Sequence, residues 1–268
     1  MLIADADSGK ILGIVKVGPM AGIAVDPATG HVFTGNGRAN SVSEVDPQTQ
    51  QVLHTVAVDG PVDAIAYDPG LARIYADEDD GTRIFVIDAR TFKQIATVTL
   101  PGHKPEYIQV DPQTHEVYQN IADESSAVSQ IAIVDPTSLT VTRSIPTPFL
   151  TANHPLQYDA ADHALFVAGE NGTLAVFNPS GKLLYRVPYQ GRVDQCDWDP
   201  SHRWLACAGG GITLYSYDGA SAPKLLATRS IAPGANTTAI DPKTGTIWTV
   251  WRDRATGAAS IQGFTYKP

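Results

Sequence analysis

A hydrophobic strand that ends in Asp, usually followed by Pro, recurs six times along the chain. The anchors are Asp26, Asp68, Asp111, Asp159, Asp199 and Asp241, spaced by 42, 43, 48, 40 and 42 residues. After each anchor come a short turn, a second strand, a polar loop and a third strand that often ends in another Asp. The clearest unit runs from Gly18 to Val58 and the next from Gly60 to Leu100. A period near forty with about four short strands per unit predicts an all-β fold, a β-propeller of four-stranded antiparallel blades. Residues 1–268 read as one propeller domain. Pro fixes the first turn φ and Asp bonds to the turn's backbone donors. The repeated Asp-Pro pairs are therefore structural and not catalytic carboxylates.

Composition removes several classes. Hydrophobic residues make up 43% of the 268, enough for an ordered core. The net charge is -9 with no local basic stripe, which argues against nucleic acid as a partner. No apolar run is long enough to span a membrane. The opening MLIADADSGK has neither the basic start nor the apolar stretch of a signal peptide.

The ends of the chain are out of phase with the repeat. LIADADSGKILGIVKV aligns with FVIDARTFKQIATVTL of the second unit, so it supplies the last two strands of a blade without the first two. From Ala232 onward three strands are legible and a fourth is not. Ile11–Val17 as the outer strand of the last blade gives six blades, closed by N- and C-terminal strands. The spare strand at Met1–Asp5 supports the alternative, seven blades with one incomplete. Cys196 and Cys207 fall opposite each other on adjacent strands. They are either two small buried residues or a disulfide, which would favour an oxidising compartment.

Val32-Phe33-Thr34-Gly35-Asn36, Ile74-Tyr75-Ala76-Asp77 and Phe85-Val86-Ile87-Asp88 carry a family resemblance. The units resemble the YVTN-type β-propeller repeat and the YncE-like, gluconolactonase-related proteins, within the wider WD40-like architecture. The literal four-letter motif is absent. The resemblance implies a periplasmic or secreted location and seven blades, and leaves activity open, because propellers carry unrelated functions.

Chemistry is sought where the repeats differ. Five residues before the anchors lie Ala21, Asp63, Glu106, His154, Asp194 and Asn236. This position is expected near the start of each inner strand, at a polar, acidic mouth of a central channel. Two residues before the anchors lie Ala24, Ala66, Gln109, Gln157, Asp197 and Ala239. Asp63, Glu106, His154, Asp194 and Asn236 are candidate ligands for a divalent metal. Calcium suits the oxygens, and manganese or zinc would accept the imidazole. With a metal, the concrete enzyme is a hydrolase of a lactone or related ester, with Asp194, His154 and Glu106 as catalytic candidates. Its residue chemistry is similar to that of the senescence-marker-type lactonase propellers.

The leading reading is a binding or interaction scaffold for a protein, peptide or small carbohydrate-like ligand. Loops after the second strands would reach the same face. They contain Asn36-Gly37-Arg38, Asp77-Glu78-Asp79-Asp80, Asp123-Glu124, Glu170-Asn171 and Arg252-Asp253-Arg254. His103, His115, His163 and His202 lack ligand spacing and read as surface or turn residues.

Overall fold

Alternating apolar strands and Asp-anchored turns produce an antiparallel β structure throughout. The computed structural model describes residues 1–122, 129–189, 191–253 and 255–267. Asp123, Glu124 and Arg254 lie outside the described residues. Two compact units divide the chain: Met1–Asp5 with Lys10–Pro148, and Ala6–Gly9 with Phe149–Pro268.

The first unit holds a two-stranded sheet, β1 (Leu2–Ala4) and β2 (Ile11–Ile14), and three four-stranded sheets. These are β3 (Ile23–Val25), β4 (Val32–Gly35), β5 (Ser41–Asp46) and β6 (Gln51–Ala57); then β7 (Val62–Asp68), β8 (Arg73–Glu78), β9 (Arg83–Asp88) and β10 (Lys93–Thr99); then β11 (Pro105–Val110), β12 (Val117–Ile121), β13 (Gln130–Asp135) and β14 (Thr140–Pro146). The second unit continues with β15 (Asn153–Asp159), β16 (Ala164–Gly169), β17 (Thr173–Phe177) and β18 (Leu183–Pro188). Its next sheet is β19 (Val193–Asp199), β20 (Trp204–Gly209), β21 (Ile212–Ser216) and β22 (Lys224–Arg229). Its last has three strands, β23 (Thr237–Ile240), β24 (Ile247–Arg252) and β25 (Ala259–Phe264).

Six sheets of three or four strands therefore follow the N-terminal hairpin, one per anchor Asp. Ile11–Ile14 pairs with Leu2–Ala4, as expected of the last two strands of a blade. The cause is local. Gly9 takes φ +69°, and the Asp5 N–H donates to Lys10 O at 2.8 Å, so a short turn folds β2 back onto β1.

The third strands of the five four-stranded sheets are largely buried, as in Ile84-Phe85-Val86-Ile87, where Phe85 and Ile87 pack toward the sheet before and Ile84 and Val86 toward the sheet after. In the first unit Ile65 and Phe85 pack with Phe33 and Val42 of the preceding sheet. Ile108 and Val117 pack likewise with Tyr75 and Ile84. In the second unit Trp198 and Cys196 pack with Phe166 and Val176, while Ile240 and Ile247 pack with Leu214 and Ala208. Two glycines permit one of these close approaches. A Cβ at Gly22 would lie 2.5 Å from Asp63 O, and one at Gly35 would lie 2.6 Å from Val62 Cγ1.

The anchors behave as turn residues. Asp68 Oδ1 accepts from the Gly70 N–H at 2.9 Å, Asp111 Oδ1 from the Gln113 N–H at 2.8 Å, and Asp199 Oδ1 from the Ser201 N–H at 2.8 Å. Four residues past an Asp the chain takes a positive φ, at Gly30, Ala72, His115, His163, Arg203 and Gly245. Three of the histidines set aside above also serve these turns. His115 Nδ1 lies 3.0 Å from Asp68 Oδ2, His202 Nδ1 lies 2.5 Å from Asp199 Oδ2, and His163 Nδ1 lies 3.1 Å from Tyr158 Oη.

Candidate functional site

Polar chemistry gathers where first strands begin and second strands end. In the first unit Asp63 is the second residue of β7 and Glu106 the second of β11. Both neighbour Asp77 of β8, which is wholly buried. Its Oδ1 accepts from the Ala64 N–H at 2.6 Å and its Oδ2 from Gln119 Nε2 at 2.9 Å. Gln119 stands on β12, so Asp77 joins two consecutive sheets. Burial pushes its carboxyl well above the usual range, with the negative charges of Asp63 and Glu106 adding to the shift.

The loop after β8 lies beside these groups. The Asp79 N–H donates to Pro61 O at 3.0 Å, and the Lys104 N–H donates to Gly81 O at 3.1 Å. Partial burial raises the Asp79 carboxyl, helped by Asp80 and Glu106 and opposed by Arg38. Lys104 Nζ lies 3.4 Å from Glu106 Oε1. Glu78 is bound instead by Arg83, whose Nε donates to Glu78 Oε2 at 2.9 Å and holds that carboxyl low. Asp63, Asp77, Asp79, Asp80 and Glu106 thus form one acidic cluster, with Arg38 and Lys104 as its cations.

The second unit places the other candidates differently. His154 Nε2 of β15 lies 3.8 Å from Glu170 Oε1, and the same oxygen lies 2.8 Å from Arg192 Nε. Asp194 is the second residue of β19, and Asn236 immediately precedes β23. Asp197 Oδ2 accepts from the Ile240 N–H at 2.7 Å, linking β19 to β23. Burial raises the Asp197 carboxyl to about 6, against the lowering effect of that bond. Gln157 Nε2 donates to Cys196 O at 2.6 Å and links β15 to β19. Cys196 and Cys207, left open above, are disulfide-bonded across β19 and β20, with Cα atoms 4.0 Å apart.

The positions chosen for their repeat offset are thus real strand entries, and within the first unit Asp63 and Glu106 do converge. Among the described residues, no group of three or more His, Cys, Asp or Glu could hold a metal ion. The set is divided between the two units, Asp63 and Glu106 in the first and His154, Asp194 and Asn236 in the second. Sequence reasoning missed Gln119, which sits on a second strand. It also missed that Glu44 is held between His31 Nδ1 and His54 Nδ1, each 2.8 Å away. Glu44 and His54 face each other on β5 and β6, and His31 reaches Glu44 from the turn just before β4.

No family model matches the chain, and no curated protein matches it. Among solved structures 1629 chains do, a breadth that belongs to an architecture and not to one activity. Kuenenia stuttgartiensis hydrazine synthase matches with a TM-score of 0.85 and 16% identity, over 98% of this chain and 89% of that one. A chain of the mitotic checkpoint complex matches with a TM-score of 0.80 and 15% identity, over 99% and 81%. The fold is a six-bladed β-propeller. Among the described residues no helix is long and apolar enough to cross a membrane.

Proposed function

We propose that this protein is a binding scaffold whose acidic cluster in the first unit recruits a basic segment of a protein or peptide. The supporting observation is the convergence of Asp63, Asp77, Asp79, Asp80 and Glu106, five carboxylates against Arg38 and Lys104. Such a field attracts cationic side chains, speeds their association and discriminates against acidic partners. Asp79 and Asp80 are exposed and supply the contact surface. Asp77 is committed to holding two sheets together and shapes the cluster from behind. The test is calorimetric titration with a Lys/Arg-rich peptide at low and at physiological salt. Binding that weakens with salt and drops at least tenfold in Asp79→Asn/Asp80→Asn supports the reading. Equal affinity of parent and variant refutes it.

The same reading keeps the kinship with YVTN-type and YncE-like propellers as its family assignment. A periplasmic or secreted location goes with it. The support is the repeat pattern together with the buried Cys196–Cys207 bond, of a kind that persists in oxidising compartments. Reading Asp194, His154 and Glu106 as catalytic, in a metal-dependent lactone hydrolase, has no observation of comparable weight behind it. Lactone turnover that depends on an added divalent ion and is lost in Asp194→Asn would restore it.

A further inference from the structure

Four of the five four-stranded sheets close their outer hairpin in the same way. The N–H of the residue just past the fourth strand donates to the carbonyl of the residue just before the third. These bonds run from Val58 to Asn40 at 2.9 Å, Leu100 to Thr82 at 2.8 Å, Thr147 to Ser129 at 2.9 Å and Tyr189 to Gly172 at 2.8 Å. Among the described residues no such bond closes β21 and β22. Gly211 O accepts from the Gly209 N–H at 3.2 Å, the Gly210 N–H donates to Arg192 O at 2.9 Å, and the Gly211 N–H has no backbone partner. A Cβ at Gly209 would lie 2.2 Å from Arg192 O and one at Gly211 would lie 2.8 Å from Arg229 O. The glycines therefore permit a close approach of three chain segments. Beside them lies a cavity of about 220 Å³, lined by residues 210–213 and 228–230.

We infer that this cavity binds a small oxyanion, a carboxylate or a phosphate group, with Arg229 as its cation. Size limits the guest: the volume is below the roughly 300–1,000 Å³ of sites for drug-sized ligands. The lining supplies donors, namely Arg229, the hydroxyls of Thr228 and Ser230, and the Gly211 N–H. Arginine combined with hydroxyls and unpaired backbone N–H groups is the chemistry that recognises oxyanions. Arg229 is uncommitted. Arg83, Arg143, Arg192 and Arg203 each pair with a carboxylate. Arg229 has no carboxylate partner among the described residues, and its guanidinium lies 5.7 Å from the Phe264 ring centroid. Finally, no carboxylate lines the cavity, although the chain carries a net charge of -9. The inference concerns the second unit, does not rest on the acidic cluster and would survive the failure of that reading.

The experiment titrates the ¹⁵N-labelled full chain with sodium phosphate and, separately, with sodium acetate, at an ionic strength held constant with sodium chloride. The expected result is saturable shifts at the amides of Gly210, Gly211 and Ser230 with at least one of the two anions. Tighter binding of phosphate would assign the site to a phosphate group, and tighter binding of acetate to a carboxylate. Arg229→Gln should keep the fold by circular dichroism and weaken binding at least fivefold. Ser230→Ala, at an exposed position, should weaken it at least twofold and serves as the test if Arg229→Gln does not fold. Arg186→Gln removes the same charge from a guanidinium that also lies over a ring, Phe149, but does not line the cavity. Its affinity should stay within twofold of the parent. Three results would overturn the proposal. One is no saturable shift with either anion. Another is equal affinity of the parent and the folded cavity variants. The third is equal weakening in Arg229→Gln and Arg186→Gln, which would make net charge and not the cavity the cause.

Discussion

Asp197 is the group through which the packing can be tested most cleanly by pH. Burial lifts its carboxyl from 3.8 to about 6 although it accepts a 2.7 Å bond from the Ile240 N–H. Desolvation therefore outweighs the hydrogen bonds that favour the charged form. The unfolded chain takes up this proton near pH 3.8 and the folded chain near pH 6. Stability contributed by the group is complete below 3.8 and lost as pH rises through about 6. A shift of just over two pH units, at about 1.4 kcal/mol each, sets a ceiling of about 3 kcal/mol. Residual solvent contact of this mostly buried side chain reduces the expectation to about 2 kcal/mol. Asp197→Asn keeps an oxygen for the Ile240 N–H and removes the charge. Urea unfolding at pH 4, 5, 6 and 7 should show parent and variant equal near pH 4. The variant should be more stable by about 2 kcal/mol at pH 7. A gap that does not change with pH, or a variant less stable at pH 7, refutes the assignment of the shift to Asp197.

Other perturbations test separate parts of the structure. Asp77→Ala removes the acceptor of both the Ala64 N–H and Gln119 Nε2 and should cost about 2–4 kcal/mol in chemical denaturation. Replacing both cysteines by Ala opens a loop of eleven residues' separation and should cost about 3 kcal/mol. In the parent, the buried sulfurs should titrate as thiols under mild reductant only after denaturant is added. Gly30→Ala meets no atom within 4 Å, so its loss of about 1 kcal/mol isolates the positive φ of +75°. Gly245→Ala shares that strain and also brings a Cβ to 3.0 Å from Trp204 Cζ3, so its Tm should fall further than that of Gly30→Ala.

Much of the fold was legible because its determinants are local. Each Asp-anchored turn needs a few consecutive residues, and alternation in Arg83–Asp88 already states that both faces are covered. The offset of Cys196 and Cys207 from Asp199 located the facing pair, although geometry alone left the bond open. The pairing of Ile11–Ile14 with Leu2–Ala4 was legible as well, because the turn between them is short and Gly9 supplies its positive φ. The site was legible only as a set of positions. Asp63 and Glu106 follow from the repeat offset, but their convergence on Asp77 depends on Gln119, a second-strand residue of the next sheet. His154 was chosen with carboxylates in mind, and its neighbour Glu170 belongs to a loop that the repeat places on the same face, although the repeat does not say which loop residue meets which strand entry.

The central claim, that recognition resides in the acidic cluster of the first unit, is tested most directly by amide chemical-shift mapping. The ¹H–¹⁵N spectrum would be followed as the Lys/Arg-rich peptide is added at low salt. The account predicts saturable shifts confined to amides near Asp63, Asp77–Gly81 and Lys104–Glu106. Shifts centred on His154, Glu170 and Arg192, with those amides unmoved, would contradict it.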